Sequence, residues 1–378
     1  MIDSIKKIID PMKNYWTSRT RRMRVFLKSF VFTLLSFGTL SLVFFMAWGA
    51  VFAPPEQPEF VPAPPRENNT AGALGYWETT DITENECPWT EVTAPSWVEG
   101  RRPYFWTFLV VGLNEGTNAN TVMVASYCGV TREANIVSIP RDVPVHPNRN
   151  GRKLSSSYMI GYRHSGVAGG AAQVQTDVQT VIGFVPDYYV VIDYDAFFKI
   201  IDAVGGIYID VPMRMRYHDP FQDLDIDIQP GLQHMDSETA LHFARFRQGT
   251  RNTNYPGLPD GDIGRTRNQQ EVIRAVIDQV LSIENLTPSR LNEFMNIFNS
   301  SVHTNMSIFR DIPFFANEIR HVTNTDSLMT YTFPTHSGMS RGVSYQFLTP
   351  ASVVEIVNET INPFDGEMTV ADLRIVRQ

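Results

Sequence analysis

Residues Ser29 to Ala53, SFVFTLLSFGTLSLVFFMAWGAVFA, run for 25 positions without a charge and are mostly apolar. As a helix rising about 1.5 Å per residue, such a run spans the roughly 30 Å hydrocarbon core of a bilayer with room to tilt. It predicts a transmembrane helix over 29–53. The competing reading, a cleaved signal peptide, fits less well: its apolar region usually runs about 7–15 residues and closes on small residues. Here Phe44, Phe45, Met46 and Trp48 crowd the exit end. Lys13, Arg19, Arg21, Arg22, Arg24 and Lys28 precede the run and only acids follow closely. The positive-inside rule therefore leaves residues 1–28 as a cytoplasmic basic stub and the rest outside the cytoplasmic membrane. That stub is too short to fold alone or to carry a helix-turn-helix module, which argues against a transcription factor.

Charge divides the chain the same way. The first 28 residues hold eight Lys or Arg against Asp3 and Asp10, so a total of -8 hides a stub of +6 and a remainder, 54–378, of -14. An acidic exterior part excludes a general nucleic-acid binder, because its summed field repels a phosphate backbone. Yet that part carries 22 Arg and only two Lys, Lys153 and Lys199. Arginine in preference to lysine suits forked, planar binding of an anion at a local site, although a G+C-rich coding bias accounts for the ratio about as well.

Beyond the apolar run, Pro54, Pro55, Pro58, Pro62, Pro64 and Pro65 mark 54–69 as a stiff, extended spacer. Residues 70–104 lack a sustained period and read as an irregular arm. The arm contains Cys87, and the chain's other cysteine is Cys128; outside the cytoplasm a disulfide between them is plausible, against the alternative of two unrelated thiols. From Tyr104 the pattern is regular. TFLVVGLN, TVMVASYC, ANIVSIP, YYVVID and GIYIDVPMRM are β-branched runs, and helical stretches fall at 167–182, near Phe197–Val204, at 236–246 with Asp236 as cap, and from Arg265 to Leu281. Two C-terminal strands, SLMTYTF and VSYQFL, complete one domain over 105–378. Alternating strands and helices place it in the α/β class with a mixed sheet; the strand order is not readable.

The order VVGLN, NTVMVAS, SIPRD, Lys153 to Tyr158, DYYVVIDY, IIDAVGGIYIDVP, IQPGLQHMDSETALHFARFR and DIGRTRNQQEVI, over about residues 105–285, resembles the extracytoplasmic domain of the LytR-CpsA-Psr (LCP) family. The resemblance implies an α/β/α sandwich with a lipid tunnel beneath the sheet. It also implies a membrane-anchored phosphotransferase that moves a glycopolymer from a polyprenyl pyrophosphate carrier onto a cell-wall acceptor such as peptidoglycan, with Mg²⁺. On the matching positions it gives Arg141, Arg245, Arg247 and Arg265 to the pyrophosphate, with Asp262 beside them, and Lys153, Gln269, Asp142 and Arg267 to the same substrate. The residue types agree, since forked N–H pairs match phosphoryl oxygens. On a helix, Arg265 and Gln269 share a face.

The sequence departs from the family where the metal would sit. The two carboxylates that hold magnesium fall on Asn114 and Asn120, each an amide, with Glu115 the nearest acid. An amide oxygen ligates a hard cation but removes a charge, and Mg²⁺ is usually held by one or two carboxylates plus substrate phosphates. Ser155 and Asn268 also differ from the family pattern. Two readings follow: a transferase in which the arginines neutralise the pyrophosphate, or a weakened relative that binds polyprenyl phosphates or glycans as an envelope assembly partner. Asp262 and Asp142 are the candidates for a general base, and either can instead orient an arginine.

Overall fold

The computed structural model describes Pro54, Pro55, two paired two-residue strands at Val61–Pro62 and Thr93–Ala94, and residues 100–376 apart from 115–116, 147–148, 150, 222–223, 251–254, 282–287, 308–309 and 319–327. The anchor at 29–53, most of the spacer and arm, Cys87 and Glu115 lie outside the described residues; among those described, no helix is long and apolar enough to cross a membrane.

The domain is built on a hairpin, β1 (Phe105–Leu113) and β2 (Ala119–Cys128), extended by β3 (Glu133–Ser138). Strict alternation along β1 decides what lies on each side of it. Leu109, Val111 and Leu113 point to one face, with Val124 and Val122 beside them on β2. There they meet Ala171, Val174 and Val178 of α1 (Ser157–Ile182) and Val353 of α7 (Pro350–Ile356). Trp106, Phe108 and Val110 point to the other face, Trp106 and Phe108 against Phe314 and Phe315 of α6 (Asp311–Glu318) and Val110 beside Ile273 and Ile277 of α4 (Asp262–Leu281). Helices thus cover both faces of a mixed sheet.

The sheet has six strands in the order β9 (His303–Thr304), β4 (Tyr188–Ile192), β1, β2, β3, β10 (Leu328–Thr332). β4 runs parallel to β1 and β10 parallel to β3, and the remaining pairs are antiparallel. The predicted helix at 167–182 is the second half of α1, whose axis breaks at Ser165 and Gly166; Gly166 has φ +63°, a conformation that suits a residue without a Cβ.

The run GIYIDVPMRM, expected as a single strand, is a strand only to Val211; it breaks at Pro212, and its last residue, Met215, opens the next strand. β5 (Ile207–Val211) pairs with β8 (Gly231–Met235), while β6 (Met215–Asp219) pairs with β7 (Leu224–Ile228). Both ladders are two-stranded sheets apart from the central one, and they bury Ile209, Met215, Ile226 and Ile228 with residues of α2 (Tyr194–Ala203), α3 (Ser237–Arg245) and α4. Asp236 caps α3, its carboxylate accepting the Thr239 N–H at 2.8 Å, as the sequence predicts. The apolar face read along α4 is shared between two neighbours: Ile273 and Ile277 reach the central sheet, Val272, Ala275 and Val276 the smaller layer. α4 is a wedge between them, and the space left at its N-terminal end is the site.

Candidate functional site

Between the central sheet and the small two-stranded sheets lies a cavity of about 560 Å³. Val110, Gly112 and Ile192 form its floor; Phe197, Tyr217, Leu224, Leu241 and Val272 supply much of its apolar wall. Its charged lining residues are Arg141, Arg245, Arg247 and Arg265, with Asp193, and Asp262 stands behind three of the arginines.

Each arginine is delivered by a different local device. Arg141 follows β3 on a turn held by the Val143 N–H to Pro140 O bond and by the Ser155 N–H to Arg141 O bond at 3.0 Å. Arg245 ends α3 and Arg247 lies two residues further on, with Phe246 buried between them as the anchor. Arg245 sits over the Tyr194 ring, 5.6 Å from its centroid. Arg265 occupies the first turn of α4, where the helix dipole favours an anion.

Asp262 holds three of these guanidiniums through one oxygen. Its Oδ1 is 2.6 Å from Arg265 Nη2, 3.6 Å from Arg247 Nη1 and 3.9 Å from Arg141 Nη2. One carboxylate cannot neutralise three cations. Arg265 is 12% exposed, and burial, with the neighbouring Arg141 and Arg247 charges, brings its guanidinium down to about 10 against the opposing pull of Asp262. The Nε–H groups of Arg141 and Arg265 are buried without a hydrogen-bond acceptor. Asp262 Oδ1 is likewise buried without a hydrogen bond, so charge holds the cluster together and its Nε–H groups have no aligned acceptor, which is costly for buried donors.

The remaining predicted residues divide. Gln269 lines the cavity, one turn beyond Arg265. Asp142 pairs with Lys153 at 2.8 Å, and the Lys153 ammonium lies 5.7 Å from the centroid of the buried Tyr345 ring; this pair stands beside the cavity and does not line it. Arg267 turns away: it pairs with Asp260, and both side chains are more than half exposed. Two residues from Arg265 on a helix is the opposite side, so the substrate role expected of Arg267 has no geometric support. Asn268 donates to Phe243 O at 3.0 Å, and Gln270 to Ser138 Oγ and Tyr331 O, both at 2.8 Å; these bonds fix α4 to α3 and to the sheet and so hold Arg265 in place. Cys128 ends β2, partly exposed.

Among the described residues, the donor set does not fit a magnesium site. Asn114 Oδ1 accepts the Asn118 N–H at 2.9 Å and closes the β1–β2 turn, while Asn120 Oδ1 accepts from Arg141 Nη1 at 2.9 Å. A cation between these amides would face the Arg141 guanidinium, with Asp262 already shared among three arginines. No group of three or more His, Cys, Asp or Glu side chains that could hold a metal is found among the described residues.

The sequence reading missed the apolar wall from β6 and β7, and missed Tyr194 and Tyr345. The wall had a signal: Leu224, Ile226 and Ile228 alternate with Asp225 and Asp227, the mark of a two-faced strand.

A mixed α/β domain with a cationic mouth over an apolar cavity is the class that fold and site define. The chain belongs to the LytR_cpsA_psr family, whose model matches residues 106–362. The match runs past the motifs read from sequence to β11 (Thr335–Ser340), β12 (Val343–Leu348) and α7. Biofilm regulatory protein A of Streptococcus mutans is 24% identical over 267 residues, 67% of this chain and 62% of that protein's length. The polyisoprenyl-teichoic acid–peptidoglycan teichoic acid transferase TagU of Enterococcus faecalis is 24% identical over 303 residues, 77% of this chain and 90% of that protein. In fold, the crystal structure of protein gbs0355 from Streptococcus agalactiae is similar with a TM-score of 0.59 at 21% identity, covering 72% of this chain and 92% of that one.

Proposed function

We propose that this protein is a membrane-anchored phosphotransferase that moves a glycopolymer from a polyprenyl pyrophosphate carrier onto a cell-wall acceptor hydroxyl. One observation carries the reading: four arginines sharing few carboxylates stand at the mouth of an apolar cavity. That is the complement of a ligand with a multiply charged head and a hydrocarbon tail. The family membership and the transferase named among the relatives point the same way.

In this reading the tail occupies the space between Val110, Ile192, Leu224 and Val272, and the pyrophosphate oxygens accept from Arg141, Arg245, Arg247 and Arg265. The acceptor oxygen forms a bond to the glycan-side phosphorus. The bond from that phosphorus to the bridging oxygen breaks, and the bridging oxygen leaves as part of polyprenyl monophosphate. The acceptor proton passes to solvent water. Asp262, bound to three guanidiniums, and Asp142, paired with Lys153, orient cations. Charge on the leaving phosphate grows during the step, and arginines already fixed in place stabilise it without reorganising.

The amides at 114 and 120 favour a second reading, a binder without turnover. Incubating the detergent-solubilised protein with a polyprenyl-pyrophosphate-linked fluorescent disaccharide and peptidoglycan separates the two. The transferase gives covalently labelled peptidoglycan and an equal amount of polyprenyl monophosphate, whereas the binder retains the intact donor and releases none.

A further inference from the structure

Charge counted around the cavity gives a result that the two amides alone do not. The charged side chains among its described lining residues are four arginines and one aspartate, Asp193, a formal +3. With aspartates at 114 and 120 the same lining would sum to +1, and one bound divalent cation would return it to +3. Two amides without a metal are therefore electrostatically equivalent to two carboxylates with one. Geometry supports the exchange. Arg141 Nη1 lies 2.9 Å from Asn120 Oδ1, and because the amide is neutral the hydrogen bond orients the guanidinium without consuming its charge. Arg141 lines the cavity with its side chain 23% exposed, so its guanidinium can be reached by a phosphoryl oxygen.

We infer that this site binds its pyrophosphate substrate without a divalent cation, Arg141 on Asn120 supplying the charge a metal would bring. The inference rests on the pyrophosphate reading above and sharpens it. It has a consequence of unexpected sign: carboxylates at 114 and 120 damage the site unless a metal is added. Each aspartate can keep its hydrogen bond, to the Asn118 N–H or to Arg141, so the fold is retained while the net charge falls.

The test is calorimetric titration of the detergent-solubilised protein with geranylgeranyl pyrophosphate, in EDTA and again in Mg²⁺, for the wild type, Asn120→Asp and Asn114→Asp with Asn120→Asp. Wild-type affinity is expected to agree within about twofold in the two buffers, and Mg²⁺ alone to leave its melting temperature unchanged. In EDTA the double variant loses at least about tenfold, because two added charges a few ångströms from the phosphates act at reduced dielectric; Mg²⁺ restores most of the loss. Asn120→Asp follows the same direction with a smaller loss, and serves if the double variant fails to fold. Wild-type binding that needs Mg²⁺, tighter by tenfold or more than in EDTA, overturns the inference and leaves the pyrophosphate reading standing. No binding in either buffer overturns the pyrophosphate reading itself, and the inference with it.

Discussion

Replacing Asp262 with Asn removes the one negative charge that three arginines share and leaves the shape nearly unchanged. At an effective dielectric of about 20, a unit pair at 4 Å is worth about 4 kcal/mol before solvent relaxation, and losing one partner of a fully buried pair costs about 3–5 kcal/mol. Asp262 is 22% exposed and Arg247 39%, so the mouth is partly screened. An amide oxygen also keeps a partial negative charge beside Arg265. The expected loss is about 2–3 kcal/mol, which in a domain of this size lowers the melting temperature by roughly 4–10 °C. Differential scanning calorimetry of the solubilised protein reads it directly. Geranylgeranyl pyrophosphate should shrink the gap between variant and wild type, because its oxygens take over the role of the lost carboxylate. Equal melting temperatures without ligand, or the same ligand-induced rise in both proteins, would refute the assignment of Asp262 as the shared counter-charge.

Four further outcomes are expected. Arg247→Lys keeps the charge but loses the planar fork, so affinity for geranylgeranyl pyrophosphate should fall about tenfold in the same titration; unchanged affinity returns Arg247 to ordinary surface charge. The Arg265 guanidinium is lowered by burial to about 10, so anion affinity should decline as pH rises through about 10. The unfolded chain holds that proton more tightly, so Arg265 penalises the folded state below about pH 10, and the penalty lifts as pH climbs further; a flat affinity profile to pH 11 contradicts this. Ala244 lines the cavity, and Ala244→Trp should weaken binding of a long polyprenyl pyrophosphate far more than that of inorganic pyrophosphate; equal losses would put the tail elsewhere. Non-reducing peptide mapping should recover Cys87 and Cys128 as one species, and two alkylatable thiols in oxidised material would reject the bridge.

How much was legible depended on whether the determinant was local. The hairpin strands, the α3 cap at Asp236 and the first turn of α4 follow from residues close in sequence, and the structure has them. Arg141, Arg247, Arg265 and Asp262 were recognisable as a group, but their convergence on one oxygen joins a strand end, a post-helix loop and a helix start. Only tertiary structure brings those together. Arg267 shows the limit within a motif: two residues from Arg265, it faces the opposite way, and only the helix reveals that. The break in 206–215 had a local mark in Pro212, but the sequence does not say that the strands on its two sides pair with different partners.

The cavity has unequal walls. Its floor belongs to β1 and β4, interior strands of the six-stranded sheet, each bonded on both sides. Its opposite side leans on β6 and β7, a ladder of two strands outside the central sheet, tied along β6 by hydrogen bonds with Thr250. Widening the floor would break two rows of hydrogen bonds, while displacing the ladder breaks none within it. Under the proposed function, a bulkier or longer hydrocarbon guest would be accommodated by a compliant roof above a stiff base. The arginines are fixed to β3, α3 and α4, so a charged head held there would stay in register while the tail adapts.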